Sequence, residues 1–314
     1  MKKAIIYIIV LFALACTKFE KIEDFPIEPP ALVANALFKE GEPFHFRISR
    51  SLSILDNAQI GPVKDAQLIL FRNQQPIDTL TGANEQGTYL SIFQPERDHQ
   101  YHIKVSHPRY PTIVSGFEKL PAPMIVNNFN CHLLDSVVEV YNYWSSNKAD
   151  TLITNYRLEC TLNLRDLGIT ENIYSLSVVL HDSVYNYSSR QYEWRKRSAW
   201  VLLSDDTSLL NHTGIGNDQL YSDKLFFSNH LFPGEDYSLN FTLHDNNWGN
   251  TLAREYTLLV HSYSNSSYLY ARSLNFGTVG FSSPFVEPTR IFTNIENGYG
   301  IFAGIDMVTI PVRR

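Results

Sequence analysis

The sequence lacks the short motifs by which most catalytic and nucleotide-binding sites are recognised. It has no GxSxG, no HExxH, no P-loop, and no GxGxxG that precedes a helix. It has only three cysteines, and no CxxC or Cys/His spacing typical of a zinc site. These absences favour a protein that is not an enzyme, so we expect no catalytic residues, no metal and no cofactor.

Positive charge is also scarce. Lys and Arg number 26 against 32 Asp and Glu. Removal of a leader that contains Lys2 and Lys3 leaves 24 basic residues and a net charge of −8. Arg195-Lys196-Arg197 is the only basic cluster, and we interpret it as the solvated end of a strand. A mildly acidic chain of this kind is a poor candidate for binding nucleic acid or anionic lipid headgroups.

No hydrophobic run is long enough to cross a bilayer, which takes about 20 residues. The longest candidate follows Lys2 and Lys3 and covers residues 4–15. A positive start and a short apolar run that ends in Ala-Leu-Ala are typical of a signal peptide, here residues 1–15. Because Cys16 follows directly, we predict a bacterial lipoprotein signal whose cysteine is acylated. The alternative is a plain secretory signal in which Cys16 is incidental.

Residues 16–30 have no apolar periodicity and are interrupted by prolines, so we predict an extended tether of roughly 40 Å. Glu20, Glu23 and Asp24 follow closely behind Cys16. They resemble a surface-export signal of Bacteroidetes lipoproteins, but a soluble spacer explains them equally well. Exposure at the cell surface and exposure to the periplasm therefore both remain open.

The rest of the chain predicts an all-β fold, because short alternating runs rich in Tyr and Phe are separated by Gly, Pro, Asn and Asp. We predict two β-sandwich domains in series. Residues 31–120 form an immunoglobulin-like sandwich in which residues 51–61 project as a loop. Leu120-Pro121-Ala122-Pro123 marks the boundary, and residues 124–314 form a larger sandwich.

Two local signals stand out in the second domain. Residues 264–277 have serine caps and a helical pattern that ends at Gly277, which predicts one short helix of about three turns. Asn297-Gly298, between two strand-like runs, predicts a tight hairpin. Cys131 and Cys160 lie in two predicted strands, and either a disulfide or two buried free thiols fits this pattern.

The histidines suggest two kinds of chemistry, each with a simpler explanation. His99, His102 and His107 invite a metal site, but His102 points away from His107 on a regular strand, so surface and edge positions explain them better. The pairs His181-Asp182 and His244-Asp245 invite an active site. No nucleophile or metal site accompanies them, and strand-end turns explain both pairs more simply.

An aromatic hairpin is the strongest candidate for binding. If an even-length turn lies around residues 188–190, then Tyr185, Tyr187, Tyr192 and Trp194 share one face. Such a face could bind a protein loop or a sugar ring. Alternatively, the rings pack over the sandwich core or against the other domain, which is the interpretation we favour from sequence. Trp248 lies in a second polar loop, residues 244–250, with the same two interpretations.

Several blocks resemble a Bacteroidetes family known only as a domain of unknown function, family 4249. The resemblance is carried by residues 283–304, 226–228, 231–237 and the helix over 268–274, together with the order of lipobox, acidic tether and first strand. It covers nearly the whole mature chain. Members are outer-membrane lipoproteins often encoded beside TonB-dependent receptors, which implies a TonB-dependent receptor as partner. No established site residues carry over.

From this resemblance we expect a non-enzymatic lipoprotein, anchored to the outer membrane through Cys16, that binds a TonB-dependent uptake receptor or its ligand. The contact surfaces would be the aromatic hairpin and the loop at residues 51–61. One alternative is a surface adhesin or structural spacer, which needs no concave site. Another is a hydrolase with a site at one of the His-Asp strand ends.

Overall fold

The structure is a computed structural model that describes residues 29–53, 59–141, 151–167, 171–186, 188–202, 221–222, 224–248, 251–280 and 290–312. Strands dominate these residues. In chain order the elements are β1 (Leu32–Phe38), β2 (His45–Arg50), β3 (Gln67–Arg72), β4 (Gln75–Leu80), β5 (Thr88–Leu90), β6 (Tyr101–His107), β7 (Tyr110–Ser115), β8 (Met124–Tyr141), β9 (Thr151–Asp166), β10 (Ile173–Asn186), β11 (Gln191–Ser198), β12 (Trp200–Leu202), β13 (Tyr221–Ser222), β14 (Leu225–Ser228), β15 (Asp236–Trp248), β16 (Thr251–Tyr263), α1 (Asn265–Gly280), β17 (Ile295–Glu296) and β18 (Tyr299–Val312).

The strands form three sheets. An eight-stranded sheet has the order β11-β10-β16-β18-β1-β2-β5, with β14 also paired to β10. One five-stranded sheet has the order β17-β7-β6-β3-β4, and the other has the order β13-β12-β15-β9-β8. The predicted all-β class, with sandwich-like sheets and one helix, is confirmed.

The first sandwich packs β1, β2 and β5 against the sheet that contains β3 and β6. Its strands alternate between buried and exposed residues, as in β1, where Leu32, Ala34, Ala36 and Phe38 are buried. Such alternation is what a sheet with one face on a core requires. Phe302 of β18 completes this core, with its ring centroid 4.9 Å from that of Phe38.

The second sandwich packs β10, β14 and β16 against β9 and β15. β10 is buried on both faces along most of its length, and its buried residues include serines as well as apolar side chains. One face contacts the sandwich core, and the other meets α1 through a smaller cluster that contains Phe226, Tyr263 and Tyr268. Cys131 of β8 and Cys160 of β9 lie directly opposite each other and form a disulfide, which resolves the alternative left open by the sequence.

One strand, β18, joins both sandwiches. Residues 299–304 pair in parallel with β1, and residues 305–312 pair antiparallel with β16. The eight-stranded sheet is therefore continuous across both cores. The division at residues 120–123 stays a prediction, and the core that contains β1 also takes in Ile295 and Phe302 from near residue 300. Nothing in the local pattern of either segment indicates this long-range pairing.

Two glycines allow β18 to lie close to other backbone segments. Gly300 has a φ of +109°, and a Cβ there would lie 2.0 Å from the carbonyl oxygen of Ala34. A Cβ on Gly304 would lie 2.2 Å from the carbonyl oxygen of Lys119, in the segment that links the two sandwiches. Because both obstacles are backbone atoms, neither position has room for a side chain.

Two local predictions need correction. Asn297-Gly298 does form a turn, with Asn297 at a φ of 59°, but β17 pairs with β7 whereas β18 pairs with β1 and β16. The turn thus connects two sheets and is not a hairpin. The helix starts after its predicted serine cap, since Ser264 Oγ accepts a hydrogen bond from Ser267 N at 3.3 Å. It passes through Gly277 and ends at Gly280, because one glycine weakens a helix by about 1 kcal/mol without terminating it.

A polar cluster joins the two sandwiches beside β18. Glu118 is buried, and its carboxylate accepts hydrogen bonds from Ser264 Oγ at 2.9 Å and from Asn294 Nδ2 at 3.2 Å. The Asn294 amide also binds both backbone groups of Phe302, at 2.8 Å and 3.1 Å, as a neighbouring strand would. Burial raises the pKa of the Glu118 carboxyl, although hydrogen bonds from Ser266, Ser264 and Asn294 oppose that rise.

We expect Gly304→Ala to lower the free energy of unfolding by about 1–3 kcal/mol, because the new methyl group would collide with the backbone of Lys119. Urea denaturation measures the change. Gly82→Ala is the matched control, since a Cβ at Gly82 meets nothing within 4 Å, and it should change stability by less than about 0.5 kcal/mol. Equal effects of the two substitutions would contradict the close approach at Gly304.

The raised pKa of Glu118 predicts a pH dependence of stability. Its contribution is fully present below the ordinary pKa of a glutamate and is lost as the pH rises through the folded-state value. Glu118→Gln, which cannot ionise, should therefore gain stability relative to the unmodified chain as the pH rises from 4 to 8. Glu118→Ala should lose about 1–3 kcal/mol at pH 4 and less as the pH rises, because Ser264 and Asn294 lose their acceptor. Denaturant titrations at several pH values would show a constant Gln-minus-Glu difference if this explanation is wrong.

Candidate functional site

The hairpin of β10 and β11 is held by hydrogen bonds within its own turn. Asn186 Oδ1 accepts a hydrogen bond from Ser188 N at 2.9 Å, which forms a local Asx-type turn. Asn186 Nδ2 and Ser189 Oγ both donate to Glu193 Oε1 at 2.8 Å, and these bonds lower the pKa of Glu193. Arg190 has a φ of 54° and closes the turn. The turn therefore presents a defined geometry at the end of the hairpin.

The register confirms that three of the four predicted aromatic residues share a face. Tyr185 lies opposite Tyr192, and Ser183 lies opposite Trp194, so these aromatic side chains point to the same side of the hairpin. The rings of Tyr185 and Tyr192 make an edge-to-face contact with centroids 5.3 Å apart. Tyr187 lies outside the described residues.

The aromatic face is exposed at two of its rings, whereas the sequence favours the interpretation that the rings are packed. Tyr192 is 50% exposed and Trp194 is 58% exposed, while Tyr185 is half-buried. The interpretation that these rings pack over a core or the other domain is therefore wrong for Tyr192 and Trp194. α1 covers the other end of the same sheet face, around Ile173 and Tyr263, and the hairpin lies beyond the part that this helix contacts. A role for the aromatic face in binding stays a prediction.

The second aromatic candidate is placed differently from its prediction. Residues 244–248 are not a loop, because β15 continues as a strand to Trp248 and pairs with residues 153–157 of β9. Four consecutive polar residues, from His244 to Asn247, gave the stretch the appearance of a loop. The side chain of Trp248 lies outside the described part of the chain, so its exposure stays a prediction.

Neither His-Asp pair lies at a strand end, so the turn explanation is wrong for both. His181 and Asp182 lie within β10, where Asp182 is buried and binds Arg197 Nε at 2.7 Å. His244 lies within β15, opposite Arg157, and its pKa is lowered by burial and by the charge of that arginine. The two pairs are in different sheets.

An apolar cavity of about 340 Å³ lies beside the disulfide. It is lined by Cys131, His132, Leu133, Tyr156 and Leu158. Neither His181 nor His244 is among its lining residues. The cavity therefore does not bring a His-Asp pair to a cleft, which is the arrangement that the hydrolase alternative requires.

The three N-terminal histidines each have a separate local partner. His102 stacks between Phe71 and Phe117, with ring centroids 4.4 Å and 4.5 Å away, and burial lowers its pKa. His107 is buried and contacts Asp65 Oδ1 at 3.2 Å. His99 contacts Asn73 Nδ2 at 2.8 Å. Over the described residues, no cluster of three or more metal-ligating side chains occurs.

A buried carboxylate that the sequence analysis missed organises one of the resembling blocks. Asp166 is fully buried and accepts hydrogen bonds from Asn172 Nδ2 at 3.1 Å, Asn229 Nδ2 at 2.7 Å, Gly234 N at 2.9 Å and the Tyr174 hydroxyl. Burial and this carboxylate together raise the pKa of Tyr174. Within residues 231–237, Gly234 thus binds a buried carboxylate. No residue spacing in the sequence predicts this structural role.

The exposure of the hairpin tip predicts that its rings add little to stability. We expect the double variant Tyr192→Ala/Trp194→Ala to lower the free energy of unfolding by less than about 1 kcal/mol. Leu176→Ala, on the buried part of β10, should cost about 2–5 kcal/mol by leaving a cavity. Denaturant unfolding of both variants tests this, and a loss in the double variant as large as that of Leu176→Ala would place the rings in a core.

Comparison with known proteins gives a family but no activity. No curated protein matches the chain. A solved structure described as a membrane-anchored protein from Corynebacterium diphtheriae aligns at 9% identity over 77% of this chain and 56% of that one, with a TM-score of 0.19, too low to carry an argument. No helix among the described residues is long and apolar enough to cross a membrane. The model of a domain of unknown function, DUF4249, matches residues 18–310, and the chain therefore belongs to that family.

Proposed function

We propose that this protein is a non-enzymatic lipoprotein of the outer membrane, anchored through acylated Cys16, that binds a TonB-dependent receptor or its ligand through the exposed tip of its aromatic hairpin. The leader over residues 1–15 supports the anchor. Two or three acyl chains hold a protein on a bilayer without help from its fold. The observation that carries the binding role is the exposure of Tyr192 and Trp194.

The position of the hairpin supports the same role. The tether enters the fold at β1, where Val33 pairs with Tyr299 at the start of β18. At about 3.3 Å per residue, the 14 residues of β18 span roughly 45 Å. Val312 aligns with Tyr256 and hence with Leu180, and the rest of β10 extends roughly 20 Å further in the same direction. The hairpin tip thus lies at the end of the sheet opposite to the tether.

A tethered protein whose contact surface lies far from its anchor suits a partner that projects from the same membrane. Anchoring both molecules to one plane raises their effective concentration, so a contact as small as a hairpin tip suffices. Exposed Tyr and Trp provide large contact area with few rotatable bonds, as binding surfaces favour. The loop at residues 51–61 was the other predicted contact, and its residues 54–58 lie outside the described chain.

A structural spacer or adhesin is the second candidate, and the length of the continuous sheet favours it. A spacer needs reach and stiffness but no exposed aromatic tip. The two candidates therefore differ in whether the hairpin side chains matter.

Purification of the lipidated chain in detergent from its native membranes should bring down a large β-barrel receptor. Tyr192→Ala/Trp194→Ala should reduce the recovered receptor at least tenfold, because it removes the exposed rings. Ile92→Ala is the matched control, since Ile92 is 86% exposed in the other sandwich and should leave recovery unchanged. Cys16→Ser, which cannot be acylated, should leave the chain outside the detergent-extracted lipoprotein fraction. Equal recovery by the hairpin variant and the control would favour the spacer.

A further inference from the structure

β11 forms one edge of the eight-stranded sheet in the described part of the chain. One side of β11 pairs with residues 179–186 of β10. No described residue pairs with the other side, and most residues of the strand are exposed. Such an edge presents unpaired backbone N–H and C=O groups that can accept another strand.

The hydrogen-bond pattern identifies which residues present those groups. Ala199 N donates to Val178 O at 2.7 Å, which makes Val178 and Ala199 a hydrogen-bonded pair. Pairs alternate along antiparallel strands, so Tyr192, Trp194 and Lys196 belong to pairs that do not bond to β10. The backbone N–H and C=O groups of these three residues therefore face the open edge.

The charge of this edge contrasts with the rest of the chain. Arg197 is paired with the buried carboxylate of Asp182 at 2.7 Å. Arg195 and Lys196 are exposed on opposite faces of the strand, and neither forms an ion pair with a described carboxylate, although the charge of Arg195 helps to lower the pKa of Glu193. A chain with a net charge of −6 over its whole length thus has an edge strand with two accessible cations.

We propose that an acidic, extended segment of the partner protein adds to the sheet as a strand along β11. Backbone groups of Tyr192, Trp194 and Lys196 would form its ladder, and carboxylates on the face of the added strand away from the rings would lie near Arg195. The exposed rings of Tyr192 and Trp194 would cover its apolar side chains. A second copy of this chain offers one acidic residue, Glu193, against three basic ones, so it complements this edge less well than an acidic segment does.

The proposal rests on the proposed function only because it names a segment of the partner as the added strand. A defined peptide tests strand addition in the absence of the partner. The probe is a capped peptide of four Glu-Val repeats, and its counterpart has four Lys-Val repeats. The detergent-solubilised, lipidated chain should bind the Glu-Val peptide at least tenfold more tightly. Hydrogen exchange should show new protection at the amides of residues 192, 194 and 196.

A proline at position 196 separates strand addition from simple charge attraction. Lys196→Pro removes an outward N–H without disturbing the bonds to β10, and Lys196→Gln removes the same charge while keeping that N–H. We expect Lys196→Pro to bind the Glu-Val peptide about fivefold more weakly than Lys196→Gln, the effect of one lost backbone hydrogen bond. Thermal melting of the two variants should agree and serves as the folding check.

Three results would overturn the proposal. The first is equal affinity of the chain for the two peptides, and the second is equal affinity of the two Lys196 variants for the Glu-Val peptide. The third is a concentration-dependent dimer that Lys196→Pro abolishes, which would assign the edge to a second copy of the chain. If the peptide binds as expected but no receptor is recovered from membranes, the strand site stands and the receptor assignment fails. If the receptor is recovered but the peptide does not bind, only the mode of binding fails.

Discussion

The pairing of β18 with two different strands is the interaction on which the whole architecture depends. Its first half closes the sheet of the first sandwich through β1, and its second half extends the sheet of the second through β16. Phe302 contributes to the first core and Ile310 packs against the second. Since even-numbered residues of a strand face the same side, both five-stranded sheets lie on one face of the eight-stranded sheet. The helix α1 contacts the opposite face near Ile305.

The contacts around β18 explain why the resembling blocks lie where they do. The block at residues 283–304 contains Asn294, whose side chain pairs with Phe302, and the two glycines that allow backbone contact with Ala34 and Lys119. The other block, residues 231–237, encloses the buried carboxylate of Asp166. Arg97 adds an ion pair across the junction, to Asp306 at 2.8 Å. The first block joins the two sandwiches and the second supports one of them from within, so these motifs identify a family without revealing a chemical activity.

Short-range sequence patterns were sufficient to predict most strands and the helix. They were insufficient to predict which strands pair with each other. Alternation of apolar residues predicted the strands and the shared face of Tyr185, Tyr192 and Trp194, because both depend on a two-residue repeat. Residues 244–248 look like a loop in sequence because four consecutive residues, from His244 to Asn247, are polar, yet they continue β15 as a strand. Exposure of Trp194 could not be read from sequence, because it depends on where α1 ends its contact with the sheet. The parallel pairing of β1 with β18 has no local signal at all.

The pairing of β1 with β18 also sets an order of events during biogenesis. Residues 33–38 find their partner only at residues 299–304, so the first sandwich cannot be completed until residues 299–304 are also present. Until then, β1 keeps one edge unpaired and Phe38 lacks the ring of Phe302 beside it. Contacts between residues this distant in sequence make folding slow and leave unpaired strand edges exposed to aggregation. The edge of β1 and the ring of Phe38 therefore stay without their native partners for most of the folding process.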